Sequence, residues 1–345
     1  MSKPITAGPR HRSGRHRPAT GMLAIAAVLA AAGSTAAAKA GRGEPGDPAL
    51  PRHAAVAPVD ADILPRDLPL SGPVAGPLQP LPDGMGTLAR RADGSVTETP
   101  PSAAVQAAMA AAGPDDATPS RLAIATGRIS AVDDASGYPE RAAGMVTSVF
   151  GPVSNYCSGA LIGPATVLTA AHCIYDHRTG WADAIGFAPG LNGSTPPFGL
   201  HDFASAHVPT GFVTGFQGDY ASVVGYDLAV ITLAEPAGHR LGWFGFAAGL
   251  PEAGLAVSML AYPGDRPLGT QWRAACALQP LSGTPGSLAA HRCPVASGSS
   301  GGAMASAGAD GLPEVRAVTV ARTPDHALAV TLGPGQAAWI AGLWR

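Results

Sequence analysis

The stretch that decides the fold is Cys157-Ser-Gly-Ala-Leu-Ile-Gly-Pro-Ala-Thr-Val-Leu-Thr-Ala-Ala-His172-Cys173. Two short apolar runs, 160–162 and 167–169, flank Gly163-Pro164, a dipeptide that turns the chain. This predicts two strands joined by a tight turn, with a histidine mounted just past the second strand. A disulfide from Cys157 to Cys173 would staple the histidine's turn to the preceding strand. A general base must hold its imidazole within hydrogen-bond reach of the group it deprotonates, so a rigid mount beside it has a physical purpose. One histidine next to one cysteine is ordinarily structural; the whole pattern is what makes His172 a candidate base.

Two further stretches carry chemistry. In Gly298-Ser299-Ser300-Gly301-Gly302 the small residues let the backbone turn tightly around a serine. A serine hydroxyl is a weak nucleophile until an adjacent base takes its proton. The backbone N–H groups of Gly298 and Ser300 are the expected donors to a developing oxyanion. Ser297 and Ser299 are rival nucleophiles, but only Ser300 has the Gly-x-Ser-Gly-Gly frame. In Gly225-Tyr-Asp227-Leu-Ala-Val-Ile-Thr-Leu233 an aspartate opens an apolar run, an expensive place for an ionised carboxylate without a partner. An imidazole that becomes cationic during turnover is a suitable partner, with Asp227 fixing its tautomer. Asp219 is the bland alternative and lacks the following apolar run.

Around these stretches the chain from about 121 onward consists of short apolar runs separated by glycine, proline and aspartate: 145–150, 227–233, 257–262 and 315–320. Such spacing suits an all-β sandwich or barrel. Asp310-Gly311 is a further turn signal, and 336–344 reads as helical. The sequence before 121 differs. Basic residues fill the opening, an apolar run spans 22–32, and small residues at 34–38 fit a cleavage site near Ala38 or Ala40. Residues 1–38 are therefore expected to be a signal peptide that is cut off, which implies secretion to the periplasm or the medium with no stable membrane association afterwards. Residues 39–120, rich in Ala, Pro, Gly and Asp, are expected to be a disordered propeptide, apart from a short Ala-rich helix at 101–112. Residues 121–345 are then the working domain.

The 345-residue chain is 13% charged with a formal net charge of -2, which gives no electrostatic case for a nucleic-acid partner. Four cysteines in an exported chain suggest two disulfides and allow three pairings. Pairing sequence neighbours, Cys157–Cys173 and Cys276–Cys293, closes two loops of similar size, each worth on the order of 3 kcal/mol in the loop-entropy account. A tetracysteine zinc site is the competing idea, and the lack of any C-x-x-C pair disfavours it. His201-Asp202 with His207 is read as a polar surface loop, His177 lacks an H-E-x-x-H frame, and Asp133-Asp134 is read as a solvated pair. No metal or cofactor is expected.

Taken together, T-A-A-H-C, D-L-A-V-I-T-L and G-S-S-G-G occur in the His, Asp, Ser order of the chymotrypsin-like serine proteases. Within that family the chain most resembles the bacterial V8-type, glutamyl-endopeptidase-like branch; 130–139, 241–245 and 261–265 resemble stretches of it, over roughly 121–345. The resemblance implies a double six-stranded antiparallel β-barrel with a short C-terminal helix. It also implies peptide-bond hydrolysis through an acyl-enzyme on His172, Asp227 and Ser300, with a polypeptide as substrate. A monomer is expected. Arg121 and Arg128 are candidate processing sites. Two departures stand out. Thr319 occupies the position where glutamate-specific members carry a histidine, and Val295 sits where a small hydroxyl residue lines the pocket. A neutral, small-to-medium residue before the cut is therefore expected, with Arg322 as an alternative carboxylate fork. Ser299 stands where animal relatives have an aspartate that pairs with the new N-terminus, so that ion pair is not expected. The reading from a different class is a non-catalytic secreted binding module or adhesin on the same shell.

Overall fold

The computed structural model describes residues 84–112, 126–251, 254–281 and 288–345. The segment 1–38 and Arg121 lie outside them. Two closed six-stranded antiparallel barrels account for most of the described chain. The first runs through Ala143–Phe150, Val153–Leu161, Thr166–Thr169, Ala229–Leu233, His201–Pro209 and Ala184–Pro189, and pairing of the last with the first closes the ring. The second runs through Pro313–Arg322, Ala303–Ala307, Leu255–Ala261, Trp272–Pro280, Leu288–His291 and Ala327–Thr331, closed by Pro313–Arg322 against Ala327–Thr331.

Interior side chains fill both barrels, as in small barrels generally. Val146, Leu161, Phe187, Val208 and Ile231 share one face of the first sheet and are fully buried, and Leu168 and Val230 are buried on its other face. The second is packed with smaller residues, Ala274, Ala289, Ala317 and Ala329, among which the adaptable side chains of Met259 and Met304 fit. Leu260, Ala303, Val318 and Val330 join the apolar cluster of the first barrel, so a continuous seam links the two. The turn expected at Gly163-Pro164 lies between Val153–Leu161 and Thr166–Thr169. Asp310-Gly311 turns the chain with Leu312 N–H donating to Asp310 Oδ1. The terminal helix, Pro334–Leu343, begins with a proline at its first turn, where a missing N–H is harmless, and buries Trp339 and Ile340.

Three expectations need correction. The region of His201 and His207 is not a surface loop: His201–Pro209 is a strand of the first barrel. Its apolar content is diluted by His and Ser, and its place is set by pairing on both edges. Asp227 does not open a strand but lies two residues before one, Ala229–Leu233, as the C-terminal cap of a short 3-10 turn, Val224–Tyr226.

Third, the stretch expected to lack structure up to 120 is ordered in its described part. Thr87–Arg91 pairs with His201–Pro209 where the neighbouring strand Ala184–Pro189 has left off after two residue pairs. Val96–Thr99 turns back on it. The helix expected at 101–112 is present as Ala103–Ala112, with Val105 buried and Met109 packed against Gly335 of the terminal helix. Trp339 Nε1–H donates to Thr87 Oγ1, 3.0 Å, tying the two ends of the described chain together.

Candidate active site

Barrel register brings two of the three expected residues together. His172 lies in a 3-10 turn, Ala171–Cys173, directly after Thr166–Thr169, and the Cys157–Cys173 disulfide ties that turn to Val153–Leu161. Strand Ala229–Leu233 pairs with Thr166–Thr169, Ala229 opposite Thr169, so the residues just outside both strands meet at one end of the barrel. His172 Nδ1 is 2.6 Å from Asp227 Oδ2, and the His172 backbone N–H donates to Asp227 Oδ1 at 2.9 Å. Asp227 is fully buried. A carboxylate on Nδ1 fixes the proton there and leaves the Nε2 lone pair for a reacting proton. Nε2 is buried and takes part in no protein hydrogen bond.

Ser300 comes from the second barrel, in the loop between Leu288–His291 and Ala303–Ala307. Ser158, next to Cys157, anchors that loop to the first barrel. Its N–H donates to Ser300 O (2.7 Å), its hydroxyl donates to Gly298 O (2.8 Å), and the hydroxyl oxygen accepts from Tyr262 N–H (2.9 Å). Gly301 has φ +81°, and a Cβ there would stand 2.1 Å from Ser158 O and 2.2 Å from Thr169 Oγ1. Only glycine lets the loop approach so closely to the strand that leads to His172. The hydrogen bonds of the described residues include no His172 Nε2–Ser300 Oγ contact; such bonds are often long before substrate binds. Ser299 is buried and its hydroxyl accepts from Ala296 N–H, closing the loop, whereas Ser297 is exposed. The N–H groups of Gly298 and Ser300 have no protein acceptor among the described residues, whereas those of Ser299, Gly301 and Gly302 are spent on backbone carbonyls.

The positions expected to set specificity lie in the second barrel. Thr319 is buried; its O accepts from Gly301 N–H and its N–H donates to Gly302 O, so it flanks the loop of Ser300 directly. Its hydroxyl is 3.0 Å from Nε2 of the fully buried His291. Cys293 N–H donates to His291 Nδ1, which leaves the ring proton on Nε2, facing Thr319. Burial, with a smaller push from His326, holds the His291 pKa down at about 3, so the ring is neutral at any ordinary pH. Val295 packs on the core of the second barrel, and Arg322 ends the strand on the exposed side, on the order of 10 Å along it from Thr319.

Cys276 and Cys293 are joined by the second disulfide. Among the described residues the groupings of three metal-ligating types are Cys157–His172–Cys173 and Cys276–His291–Cys293. In each the two sulfurs are oxidised to a disulfide, so neither is a thiolate donor set. His201 and His207 do not converge: His201 Nε2 faces Phe198 O, and His207 Nε2 faces Ser205 Oγ.

Sequence reasoning missed Ser158 and Tyr220. The phenol of Tyr220 donates to Asp227 Oδ2, and its ring stands edge-on to His172, centroids 6.2 Å apart at 83°. Both residues act through the third dimension; a serine after a cysteine and a tyrosine in a loop carry no periodic signal.

Comparison with known proteins supports the same frame. The trypsin family model matches residues 136–274, which include His172 and Asp227. Glutamyl endopeptidase of Bacillus licheniformis is 36% identical over 144 residues, 41% of this chain and 42% of that protein. A Bacillus subtilis protein named extracellular metalloprotease is 30% identical over 153 residues, 43% of this chain and 47% of that one. The chain thus spans under half the length of the curated relatives it matches. A solved structure of Glu endopeptidase in complex with MPD superposes with a TM-score of 0.54 at 22% identity, over 64% of this chain and 97% of the other, a likeness of fold.

Proposed function

We propose that this chain is a chymotrypsin-like serine protease of the bacterial V8-type branch, an exported endopeptidase that cleaves polypeptides through an acyl-enzyme. The observation that carries the reading is the His172 imidazole held by Nδ1 on a buried carboxylate, with its Nε2 lone pair unclaimed. In this reading Ser300 Oγ attacks the scissile carbonyl while Nε2 takes its proton, and Asp227 stabilises the imidazolium so formed. The Gly298 and Ser300 N–H groups receive the carbonyl oxygen as it gains charge, each worth about 10²–10³ in turnover in comparable sites. The imidazolium then protonates the leaving amine. Water, deprotonated by the same nitrogen, releases the acyl group and restores Ser300. Two disulfides suit an oxidising destination, in line with removal of 1–38 on export.

A fluorophosphonate probe followed by intact mass tests the nucleophile. The folded domain is expected to gain a single adduct that maps to Ser300 and is lost in Ser300→Ala. An adduct at Ser297 or Ser299 refutes the assignment, and no adduct at all refutes the enzyme reading.

Substrate preference follows from Thr319 and His291. A glutamate side chain brings a full negative charge, and its burial is unfavourable unless a cation or several donors receive it. In this reading the side chain before the cut meets at Thr319 a hydroxyl backed by a neutral ring, and burial keeps that ring from becoming a cation. In a peptide library the expected preference is for neutral, small-to-medium residues before the cut, with Glu and Asp at least tenfold poorer in kcat/KM. Strict cleavage after acidic residues would refute the neutral pocket and return attention to Arg322.

A further inference from the structure

Asp227 receives three hydrogen bonds. His172 contributes two, from its backbone N–H to Oδ1 and from its ring to Oδ2, and the Tyr220 hydroxyl donates to Oδ2 as well. The loop holds this phenol in place through its own bonds. Tyr220 opens a short 3-10 turn, Tyr220–Ser222, capped by Asp219, whose carboxylate accepts from Ala221 N–H at 3.1 Å. The Ser222 hydroxyl donates to Asp219 O at 2.6 Å. A second turn, Val224–Tyr226, follows at once and ends on Asp227, whose N–H donates to Val224 O. Tyr220 and Asp227 therefore sit at the two ends of one double turn, seven residues apart, and the turn itself aims the hydroxyl at the carboxylate.

We propose that Tyr220 is a positioning residue of the catalytic site, which shares Oδ2 of Asp227 with His172 and thereby lowers the basicity of the imidazole. This rests on the protease reading above. A buried carboxylate needs every acceptor site filled, and a phenol donor supplies one without adding charge. Because Tyr220 and His172 draw on the same oxygen, the phenol disperses negative charge that would otherwise stabilise the imidazolium. It also stops the carboxylate from rotating about its Cβ–Cγ bond. Burial, followed by the nearby Asp227 charge, pushes the Tyr220 phenol well above its ordinary range, so it remains a donor throughout the working pH.

Tyr220→Phe removes the hydroxyl and keeps the ring. More of the carboxylate's charge then falls on His172, whose conjugate acid becomes harder to deprotonate. The acid limb of kcat/KM is expected to move up by about one pH unit, so activity near pH 6 drops more than activity near pH 8. The limiting kcat is expected to fall on the order of tenfold as the carboxylate gains freedom. Other charged groups near the pair are Asp219 on the same loop, and His177 and Asp176 on the segment after His172. The pKa of His177 is lowered, chiefly by burial, with Asp176 and Asp227 opposing. The His172 titration is therefore read separately, from the proton NMR signal of the Nδ1–H in its bond to Asp227. A 3-fluorotyrosine at 220 keeps the shape and strengthens the donor; it is expected to move both the limb and the NMR titration down. Opposite shifts in the two variants support the proposal. Titrations that overlay the unmodified protein in both variants overturn it. The NMR arm does not depend on turnover, so a protein that forms no adduct at Ser300 would refute the protease reading while leaving the Tyr220 test decisive.

Discussion

Asp227→Asn is expected to lower kcat by about 10⁴ with the fold intact, the loss known for the matching change in the Ser-His-Asp template. The reason here is the set of donors around the carboxylate. His172 N–H points at Oδ1, while His172 Nδ1 and the Tyr220 hydroxyl both point at Oδ2. An amide of the same volume keeps its oxygen on the His172 backbone N–H and must then place its NH₂ against two donors. Asp227 is fully buried, so solvent is not at hand to resolve the conflict. Tyr220 can rotate its hydroxyl to accept. His172 can relieve its share only by moving its proton to Nε2, and that nitrogen then has no lone pair for the Ser300 proton. Steady-state kinetics on a cleaved peptide, beside the rate of fluorophosphonate labelling, checks this. Both rates should fall together, with near-native thermal unfolding. A loss of less than tenfold would mean that Asp227 does not set the tautomer of His172.

The parts of this site that were legible in the sequence are those made by short contiguous turns. Thr169 to Cys173, Gly225 to Leu233 and Gly298 to Gly302 each encode a local geometry, and each holds its candidate side chain near the end of a strand. The barrels were legible for a similar reason, because runs such as Ala143–Phe150 are buried along their length and are apolar apart from Thr147 and Ser148. What escaped depends on partners far away in the chain. His201–Pro209 is half polar and owes its place to strands on both sides. Ser158 spans the seam between the barrels with three hydrogen bonds, which no neighbouring residue announces. Tyr220 is aimed by an aspartate cap at a carboxylate seven residues on. The N-terminal strand was hidden for yet another reason. Backbone ladders carry no sequence signature, and Val96–Thr99 is exposed along its whole length.

That N-terminal segment makes the second large prediction. A chain beginning at Thr126 should be markedly less stable and less active than one beginning at Gly84. Thr87–Arg91 supplies a five-residue ladder to the part of His201–Pro209 that Ala184–Pro189 does not pair. Met85 and Val105 are buried, and removing such side chains from water is worth roughly 1.5–3 kcal/mol each. For a domain of this size about 1 kcal/mol shifts Tm by about 2–4 °C, so a fall of roughly 10 °C is expected. Activity should fall as well, because the segment bears on the residue next to Asp227. The Tyr226 ring lies against both Gly84 and Gly211, where an added Cβ would come within 2.7 Å and 2.8 Å of it. Gly211 N–H donates to Gly84 O, so the two backbones close around that ring. Without Gly84 the turn that carries Asp227 loses one wall. The same packing bears on processing: Arg128 lies in a strand, Arg128–Ala131, that pairs with Trp272–Pro280, so cleavage there would have to open the sheet. Cleavage in 113–125 would instead separate two pieces still joined by the ladder and by the two helices. A chain starting at Gly84, with a specific protease site placed in 113–125 and then cut, is expected to elute as one particle with unchanged kcat/KM and a Tm within a few degrees. If the cut pieces part on a sizing column, or if the Thr126 chain matches the longer one in Tm and kcat/KM, the segment is a dispensable leader and not part of the working domain.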